Sequence, residues 1–266
     1  MVSYLNRCLI SLFAIALLGA ASFAMADGML THLSGKVSVQ KADGSTVVGV
    51  AGVKVVQGDT VITGANGFVR MELSDGGEMV IRPDTQLIIE NYHYTKESPE
   101  EDSFIFRTIK GGFRAITGLI SKRGNRAAYR ATTSTATIGI RGTQYDMRVC
   151  QANCGALPDG TYVAVRFGAV VAGNTQGNLE FKSGQVGFIP PNQPPVLLPH
   201  DPGVGFTPPP EIPKLNEKKK QSSEQEGGSS NGGESSKPSS ERDGDGNDQN
   251  KPANSADGGG ENCAIK

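Results

Sequence analysis

The stretch TTSTATIGIRGTQYDM, residues 132–147, decides the fold of this chain because its apolar residues change phase at one glycine. Before Gly142 the apolar side chains stand at even positions, namely Ala136, Ile138 and Ile140. After Gly142 they stand at odd positions, namely Tyr145, Met147 and Val149. Alternation with a period of two is typical of a strand that buries one face. The stretch therefore predicts two strand segments that meet at Gly142.

The change of phase predicts a one-residue bulge or a sharp bend at Gly142. A continuous strand would turn Ile138 and Ile140 to water and forfeit about 3–6 kcal/mol of burial free energy. That loss is large against the net stability of about 5–15 kcal/mol that is usual for a folded domain. Glycine is the residue that tolerates the backbone of such a bulge. The residues of this structural motif are Gly139, Arg141, Gly142, Thr143 and Asp146.

The polar residues that follow the bulge are expected on the opposite face of the strand. With the phase changed at Gly142, Arg141 and Asp146 come to lie on that face together with Gln144 and Arg148. We expect an ion pair between Arg141 and Asp146 that braces the bulge.

Strand patterns of the same kind recur along residues 27–191. Residues 37–40, 68–73 and 162–167 are examples in which apolar and polar residues alternate. Turn-forming pairs such as Asp43-Gly44 separate these patterns. About ten to thirteen short strands at such spacing are typical of all-β folds, and long amphipathic helix patterns are missing. We predict a single all-β domain, built as a β-sandwich or a β-solenoid of many short strands.

The first 26 residues have the three-part layout of a secretory signal peptide. Arg7 is followed by an apolar run over residues 9–18 and then by the small-x-small sequence Ala24-Met25-Ala26. We predict cleavage after Ala26 and a bacterial protein that is periplasmic or secreted. The alternative is a retained membrane anchor, because no charged residue falls between Cys8 and Ala26.

Beyond residue 191 the composition of the chain changes. Residues 192–213 are rich in proline and are expected to form an extended linker. Residues 214–266 consist mainly of small polar and charged residues. Such a segment buries too little apolar surface to offset the entropy that is lost on ordering. We therefore predict a disordered polar tail.

Charge is balanced over the whole chain but concentrated locally. The sequence has 26 Lys and Arg against 27 Asp and Glu, which argues against nucleic acid as a partner. Residues 103–143, here termed the basic segment, hold no acidic residue and eight basic ones: Arg107, Lys110, Arg114, Lys122, Arg123, Arg126, Arg130 and Arg141. We predict a surface that contacts anions, with these binding residues: Arg114, Lys122, Arg123, Arg126, Arg130 and Arg141. The alternative is a solvated face whose counter-charges come from the acidic residues of 97–102.

Cys150 and Cys154 are placed to close a small disulfide in an oxidising compartment. We predict this bridge across a connection between two strands. A redox-active pair and a two-thiolate metal site are weaker alternatives, because the usual redox spacing is C-x-x-C and no histidine lies nearby in sequence. Cys263 lies near the C-terminus, and its role is left open.

No catalytic or cofactor motif is visible in the sequence. The three histidines, His32, His93 and His200, are scattered. The motif H-E-x-x-H does not occur, and no G-x-S-x-G stands between a predicted strand and a predicted helix, as a nucleophile elbow requires. His93 lies between two tyrosines, which favours a strand with its tyrosines in the core and the imidazole outside over a sugar-stacking strip. We predict a protein that is not an enzyme and that needs neither a metal nor a cofactor.

Several segments together resemble the FecR domain family. They are GKVSVQ (35–40), VVQGDTVITGANGFVRMELSDGGEMVIRPDTQLII (55–89), GGFRAITGLI (111–120), the opening stretch, and TYVAVRFGAVVAGNTQGNLEFKSGQVGFI (161–189). The resemblance implies a periplasmic or surface all-β domain without enzymatic activity, used in sensing or in envelope assembly. The chain differs from the iron-dicitrate regulator that gave the family its name, because no cytoplasmic anti-sigma segment precedes its hydrophobic stretch. Direct control of a sigma factor is therefore not expected.

We expect a non-catalytic binding or sensing module for an envelope partner, which would be a protein, a peptide or an anionic glycan. The alternative function is a structural or assembly protein of the cell envelope. In that case open sheet edges would pair with other copies and form homo-oligomers.

Overall fold

Fifteen strands make up the part of the chain that the structure describes, residues 27–123, 125 and 127–215 of a computed structural model. The strands are β1 (Gly28–Ser34), β2 (Val37–Gln40), β3 (Thr46–Val48), β4 (Lys54–Val55), β5 (Thr60–Thr63), β6 (Phe68–Leu73), β7 (Glu78–Ile81), β8 (Gln86–His93), β9 (Ser103–Ile116), β10 (Tyr129–Thr132), β11 (Thr137–Cys150), β12 (Gly160–Asn174), β13 (Gly177–Lys182), β14 (Val186–Ile189) and β15 (Val196–Leu198). The described residues contain no helix, so the predicted all-β fold is confirmed. No helix in this part of the chain could therefore span a membrane. The predicted signal peptide and residues 216–266 of the predicted tail lie outside the described residues.

The strands form two layers that share three long strands, β9, β11 and β12. Layer one has the order β4-β1-β6-β7-β9-β11-β12-β14-β15. Layer two has the order β3-β2-β5-β8-β9-β10-β11-β12-β13. Paired strands are antiparallel except β9 and β10, which are parallel. The layers face each other across the core, as in a sandwich.

Strand β9 shows how one strand serves both layers. Its first half pairs with β8, its second half pairs with β7, and the halves meet near Gly111. Gly111 has a φ of 82°, a left-handed value that favours glycine, and a Cβ there would collide with Thr85. The rings of Phe106 and Phe113, one from each half, lie 5.4 Å apart between centroids. Both halves of the strand therefore contribute to the same core.

The main hydrophobic core draws residues from nearly every strand of both layers. At its centre lie five aromatic rings with centroid distances of 4.9–5.6 Å: Phe104, Phe106, Phe113, Tyr129 and Tyr145. The hydroxyl oxygens of Tyr129 and Tyr145 lie 3.0 Å apart. Burial raises the pKa of both hydroxyls, so both stay protonated and share a hydrogen bond inside the core.

The bulge predicted at Gly142 is confirmed. The pairing of β11 with β12 shifts register around this residue, and Gly142 has a φ of 59°. Both sets of apolar residues from the opening stretch are in the main core: Ala136, Ile138, Ile140, Tyr145, Met147 and Val149. Thr143 fixes the bulge from both sides. Its N–H donates to the hydroxyl of Thr117 at 2.9 Å, and its own hydroxyl donates to the carbonyl of Ala169 at 2.8 Å.

Asp146 has ion-pair partners that the sequence did not indicate. It is fully buried, and its two carboxylate oxygens accept hydrogen bonds from Arg114 and Arg166, each with the arginine Nε at 2.6 Å. The register of β9 and β11 places Arg114 directly opposite Asp146, which no pattern along β11 alone could show. The side chain of the predicted partner, Arg141, lies outside the described part of the structure. The buried carboxylate thus ties β9, β11 and β12 together.

The predicted disulfide between Cys150 and Cys154 is present. Cys150 is the last residue of β11, and Cys154 lies in the loop that leads to the start of β12. The bridge therefore closes a connection between two strands, as the spacing predicts.

The proline-rich residues expected to form an extended linker pack on the domain. Val196–Leu198 form the edge strand β15 beside β14, and Val204 and Ile212 are buried. Apolar residues stand among the prolines, and two of them, Leu198 and Val204, pack on an apolar patch around Tyr162 on the outer face of layer one. Residues 201–214, here termed the strap, therefore belong to the folded structure.

Candidate functional site

The structure divides the basic segment into residues that support the fold and residues that face solvent. Arg107 binds Glu90 with a distance of 2.5 Å between Nε and Oε1. Arg114 is held by the buried carboxylate described above. Arg123 binds the buried Asp102 at 2.9 Å. These three arginines have counter-charges inside the protein.

Arg123 has a structural role in the loop after β8. Its guanidinium also donates to the carbonyl oxygens of Thr95 and Lys96 and lies over the ring of Tyr94, 4.7 Å from the centroid. Its partner Asp102 is one of the acidic residues that the sequence suggests as counter-charges. Most of the donors of Arg123 are therefore used within the domain.

Three side chains of the basic segment are exposed and have no hydrogen-bond or ion-pair partner among the described residues: Lys110, Lys122 and Arg130. Lys122 lies beside the bulge, since a Cβ at Gly142 would stand 3.7 Å from the Cγ of Lys122. Arg126 and the side chain of Arg141 lie outside the described residues. Anion binding by this segment stays a prediction, now centred on the exposed residues.

Three arginines of layer one hold the backbone of the strap. Arg82 donates to the carbonyl oxygen of Val204 at 3.3 Å. Arg114 donates to the carbonyl oxygen of Phe206 at 2.8 Å. The buried Arg70 donates to the last two carbonyls of the strap at 3.3 and 3.1 Å. Because these arginines stand on β6, on β9 and just after β7, the strap crosses the strands of layer one.

The ring of Phe206 lies between two guanidinium groups. Its centroid is 5.1 Å from the Cζ of Arg82 and 5.0 Å from the Cζ of Arg114. The ring of Phe68 lies 6.2 Å away between centroids. Contacts of this kind stabilise a structure by about 0.5–2 kcal/mol each. Phe206 therefore anchors the middle of the strap.

Beside Phe206 the surface has a cleft of about 220 Å³, here termed the arginine cleft. Its wall includes two guanidinium-bearing residues, two aromatic rings, one carboxylate residue and one amide residue: Arg82, Arg148, Phe68, Phe206, Asp84 and Asn153. Cys154 also lines the cleft, so the disulfide loop forms part of its wall. The site thus combines cationic and apolar surface in a small volume.

The arginine cleft carries more positive than negative charge. The half-buried side chain of Arg148 has no hydrogen-bond or ion-pair partner among the described residues. Burial lowers the pKa of Arg82, and the like charge of Arg148 lowers it further, whereas Asp146 opposes this shift. Arg82 keeps its charge at neutral pH despite this shift. The exposed Asp84 offsets this charge only in part.

A larger depression of about 660 Å³ lies near the start of β11 and the end of β12. Its lining consists largely of hydroxyl and amide side chains, including Thr133, Thr135, Asn174 and Asn178. Thr133 and Thr135 already share the hydroxyl of Thr161 at 2.7 and 2.8 Å. Asn174 binds two backbone carbonyls. The lining residues include neither a charged nor an aromatic side chain, so this depression offers little to fix the orientation of a ligand.

The four buried carboxylates of the described residues have structural partners: Asp59, Asp75, Asp102 and Asp146. Lys41 binds Asp59 at 2.7 Å. Asp75 accepts hydrogen bonds from the backbone N–H groups of Gly77 and Ile120, while burial raises its pKa. Within the described ranges, no group of three or more His, Cys, Asp or Glu could hold a metal ion. The chemistry that the arginine cleft supports best is the binding of anions by its guanidinium groups.

Sequence reasoning missed Arg82 and Phe206 as site residues. It placed Arg148 on the outer face of β11 but assigned it no role. A usable signal was present, because arginines alternate with apolar residues in or just after five strand patterns: Arg70, Arg82, Arg114, Arg148 and Arg166. Their meeting on one face becomes visible only when the strands are aligned.

The predicted resemblance is confirmed by a family model. The model of the FecR protein family matches residues 59–171. This range includes the bulge and both arginines of the arginine cleft, whereas the strap lies beyond it. No curated protein matches the chain significantly.

Solved structures with some similarity cover parts of the chain. Two crystal structures of a candidate anti-sigma factor from Parabacteroides distasonis ATCC 8503 share 12% sequence identity with it, at a TM-score of 0.41. Each match covers 53% of this chain and 60% of that chain, so the chain spans less than two thirds of that protein. A cell surface anchoring domain is 38% identical over 23% of this chain and 80% of its own, at a TM-score of 0.22.

Proposed function

Since residues 59–171 match the FecR protein family, we propose that this chain is a non-catalytic binding and sensing module of the FecR type. It acts in the periplasm or outside the cell and binds an acidic envelope partner, which is a protein, a peptide or an anionic glycan. It needs no cofactor for this role.

The observation that carries the proposal is the set of unpaired cations in the basic segment. Buried acids occupy Arg114 and Arg123, whereas Lys110, Lys122 and Arg130 are exposed without a counter-ion among the described residues. Exposed cations on a folded surface attract acidic partners and steer their encounter with the protein.

Two further features support this role. The disulfide between Cys150 and Cys154 fits an oxidising compartment outside the cytoplasm. The buried carboxylates are held by structural partners such as Lys41 and Arg114, so they are poorly placed for proton transfer to a substrate.

Charge reversal at two of the unpaired cations tests the proposal. The double variant Lys122→Glu and Arg130→Glu should keep the melting temperature of the protein, because both side chains are exposed. It should lose most of the envelope material that the unaltered protein retains from an extract, as measured by quantitative mass spectrometry.

A matched control is Lys36→Glu, which reverses the charge of an exposed lysine outside the basic segment. This variant should retain its partners. Equal retention by all three proteins would show that the basic segment does not bind the partner.

A second candidate function is assembly through sheet edges, and one observation favours it. Strand β3 pairs only with β2 among the described strands, so its outer edge is open. Val47, Val48 and Val50, in and just after this strand, are 40%, 73% and 57% exposed. An open apolar edge is a template for pairing with another chain.

A further inference from the structure

The arginine cleft is built by three adjacent strand positions of layer one. Arg82 follows β7, Arg148 stands on β11, and Gly112 on β9 lies between them in the same row. The N–H of Arg82 donates to the carbonyl of Gly112 at 3.1 Å, and Gly112 is the direct partner of Arg148 in the ladder. Two arginines therefore flank a residue without a side chain.

Gly112 is required for this approach. A Cβ at Gly112 would collide with the carbonyl oxygen of Met147 and would stand 3.1 Å from the Cδ of Arg82. With glycine in this position, the side chain of Arg82 lies close against the backbone of β9 and next to Arg148. The row thus brings two like charges to one place, which is unfavourable unless an anion joins them.

The partners of the two guanidinium groups leave donors available. Arg82 uses Nη1 for the carbonyl of Val204 at 3.3 Å and places its plane near the ring of Phe206. Arg148 has no polar partner among the described residues. A guanidinium group has five N–H donors in a fixed fork, so both can contact the oxygens of one anionic group.

The size of the cleft limits the ligand. A volume of about 220 Å³ lies below the roughly 300–1,000 Å³ that is usual for pockets that enclose a whole small molecule. The cleft therefore accepts one end group of a longer ligand. Phe68 and Phe206 supply apolar surface beside the cations, and Asn153 supplies an amide.

From this geometry we propose that the arginine cleft binds a single anionic end group, a carboxylate or a phosphate, whose neighbouring atoms are apolar or aromatic. Arg82 and Arg148 hold the oxygens, and Phe68 and Phe206 contact the adjoining atoms. None of the exposed cations Lys110, Lys122 and Arg130 lines the cleft, so the assignment goes beyond the function proposed above.

Titration of the purified protein with three small probes tests this assignment. The probes are N-acetylphenylalanine, phenyl phosphate and the neutral N-acetylphenylalanine amide, and binding is followed by amide chemical shifts. We expect saturable binding of one or both anions with shifts at Arg148, Asn153 and Phe206, and no saturable binding of the amide. The anion that binds more tightly shows whether the end group is a carboxylate or a phosphate.

Variants at Arg148 show whether the cleft is responsible. Arg148→Gln should weaken anion binding about tenfold or more, because a charge-assisted hydrogen bond is lost. Arg148→Lys keeps the positive charge and is the conservative variant. It should weaken anion binding several-fold, because lysine lacks the planar fork of donors. Lys36→Gln should leave binding unchanged.

Two results would overturn the assignment: no saturable binding of either anion, or equal affinity in the unaltered protein and both Arg148 variants. The double variant Lys122→Glu and Arg130→Glu should titrate like the unaltered protein. If this double variant keeps its envelope partners while an anion still titrates into the cleft, the function proposed above fails and this assignment stands. If the variant loses its partners while no anion binds the unaltered protein, this assignment alone fails.

Discussion

Gly142 and Gly139 belong to the same stretch of β11 but have different backbone requirements. Gly142 has a φ of 59°, whereas Gly139 has no positive φ, and a Cβ at Gly139 would meet nothing within 4 Å. The phase change of the apolar residues predicted which glycine carries the bulge, because burial of Ile138 and Tyr145 on one face requires it. At the scale of single residues, the pattern of one strand was sufficient for this prediction.

Substitution of the two glycines by valine should separate their roles. Gly142→Val should lower the free energy of unfolding by about 1–3 kcal/mol, because a β-branched residue is strained at a positive φ. Gly139→Val is the matched control and should change stability little. Urea unfolding measures both, and equal losses in the two variants would contradict the role assigned to the bulge.

At the scale of elements, period-two patterns predicted the strands, but register and docking decided the site. Arg114 meets Asp146 because β9 and β11 are aligned in one register, and neither strand pattern contains that information. Docking of the strap was not predictable either. Val204, Phe206 and Ile212 stand among prolines, and the face that receives them exists only after β6, β9 and β12 have come together.

Phe206→Ala should loosen the strap while leaving the sheet intact. The variant loses contacts with Arg82 and Arg114 that are worth about 0.5–2 kcal/mol each. Amide hydrogens of Val204 and Ile212 should therefore exchange faster, whereas those of the core strand residue Met147 should not.

Phe167→Ala is a suitable control, because Phe167 is 69% exposed. Exchange rates in the strap should be the same in this variant and in the unaltered protein. Unchanged exchange in Phe206→Ala as well would show that Phe206 does not anchor the strap.

At the scale of the whole molecule, the two layers present different surfaces. The strap covers part of the outer face of layer one and shields Arg70 from solvent. Layer two ends in the open strand β3. The sequence predicted an all-β domain and a disulfide, but which edge stays open depends on long-range pairing that alternation within a strand does not encode.

The open edge should decide the oligomeric state. If β3 pairs with a second copy, the mass from light scattering should rise with protein concentration, and Val48→Lys should return the protein to a monomer, because a lysine on an edge strand opposes pairing. Val171→Lys, an exposed position on the long strand β12, should behave like the unaltered protein. A monomer at every concentration would rule out assembly through this edge.

The strap also determines how the domain responds to mechanical tension. Its carbonyls are held at separate places by Arg70, Arg114 and Arg82, in the order met from residue 214 backwards. A pull on the chain beyond residue 214 should therefore load these anchors one after another, beginning at Arg70, before it reaches the ladder of β11 and β12. We therefore expect the strap to detach under load before the strands of the domain separate.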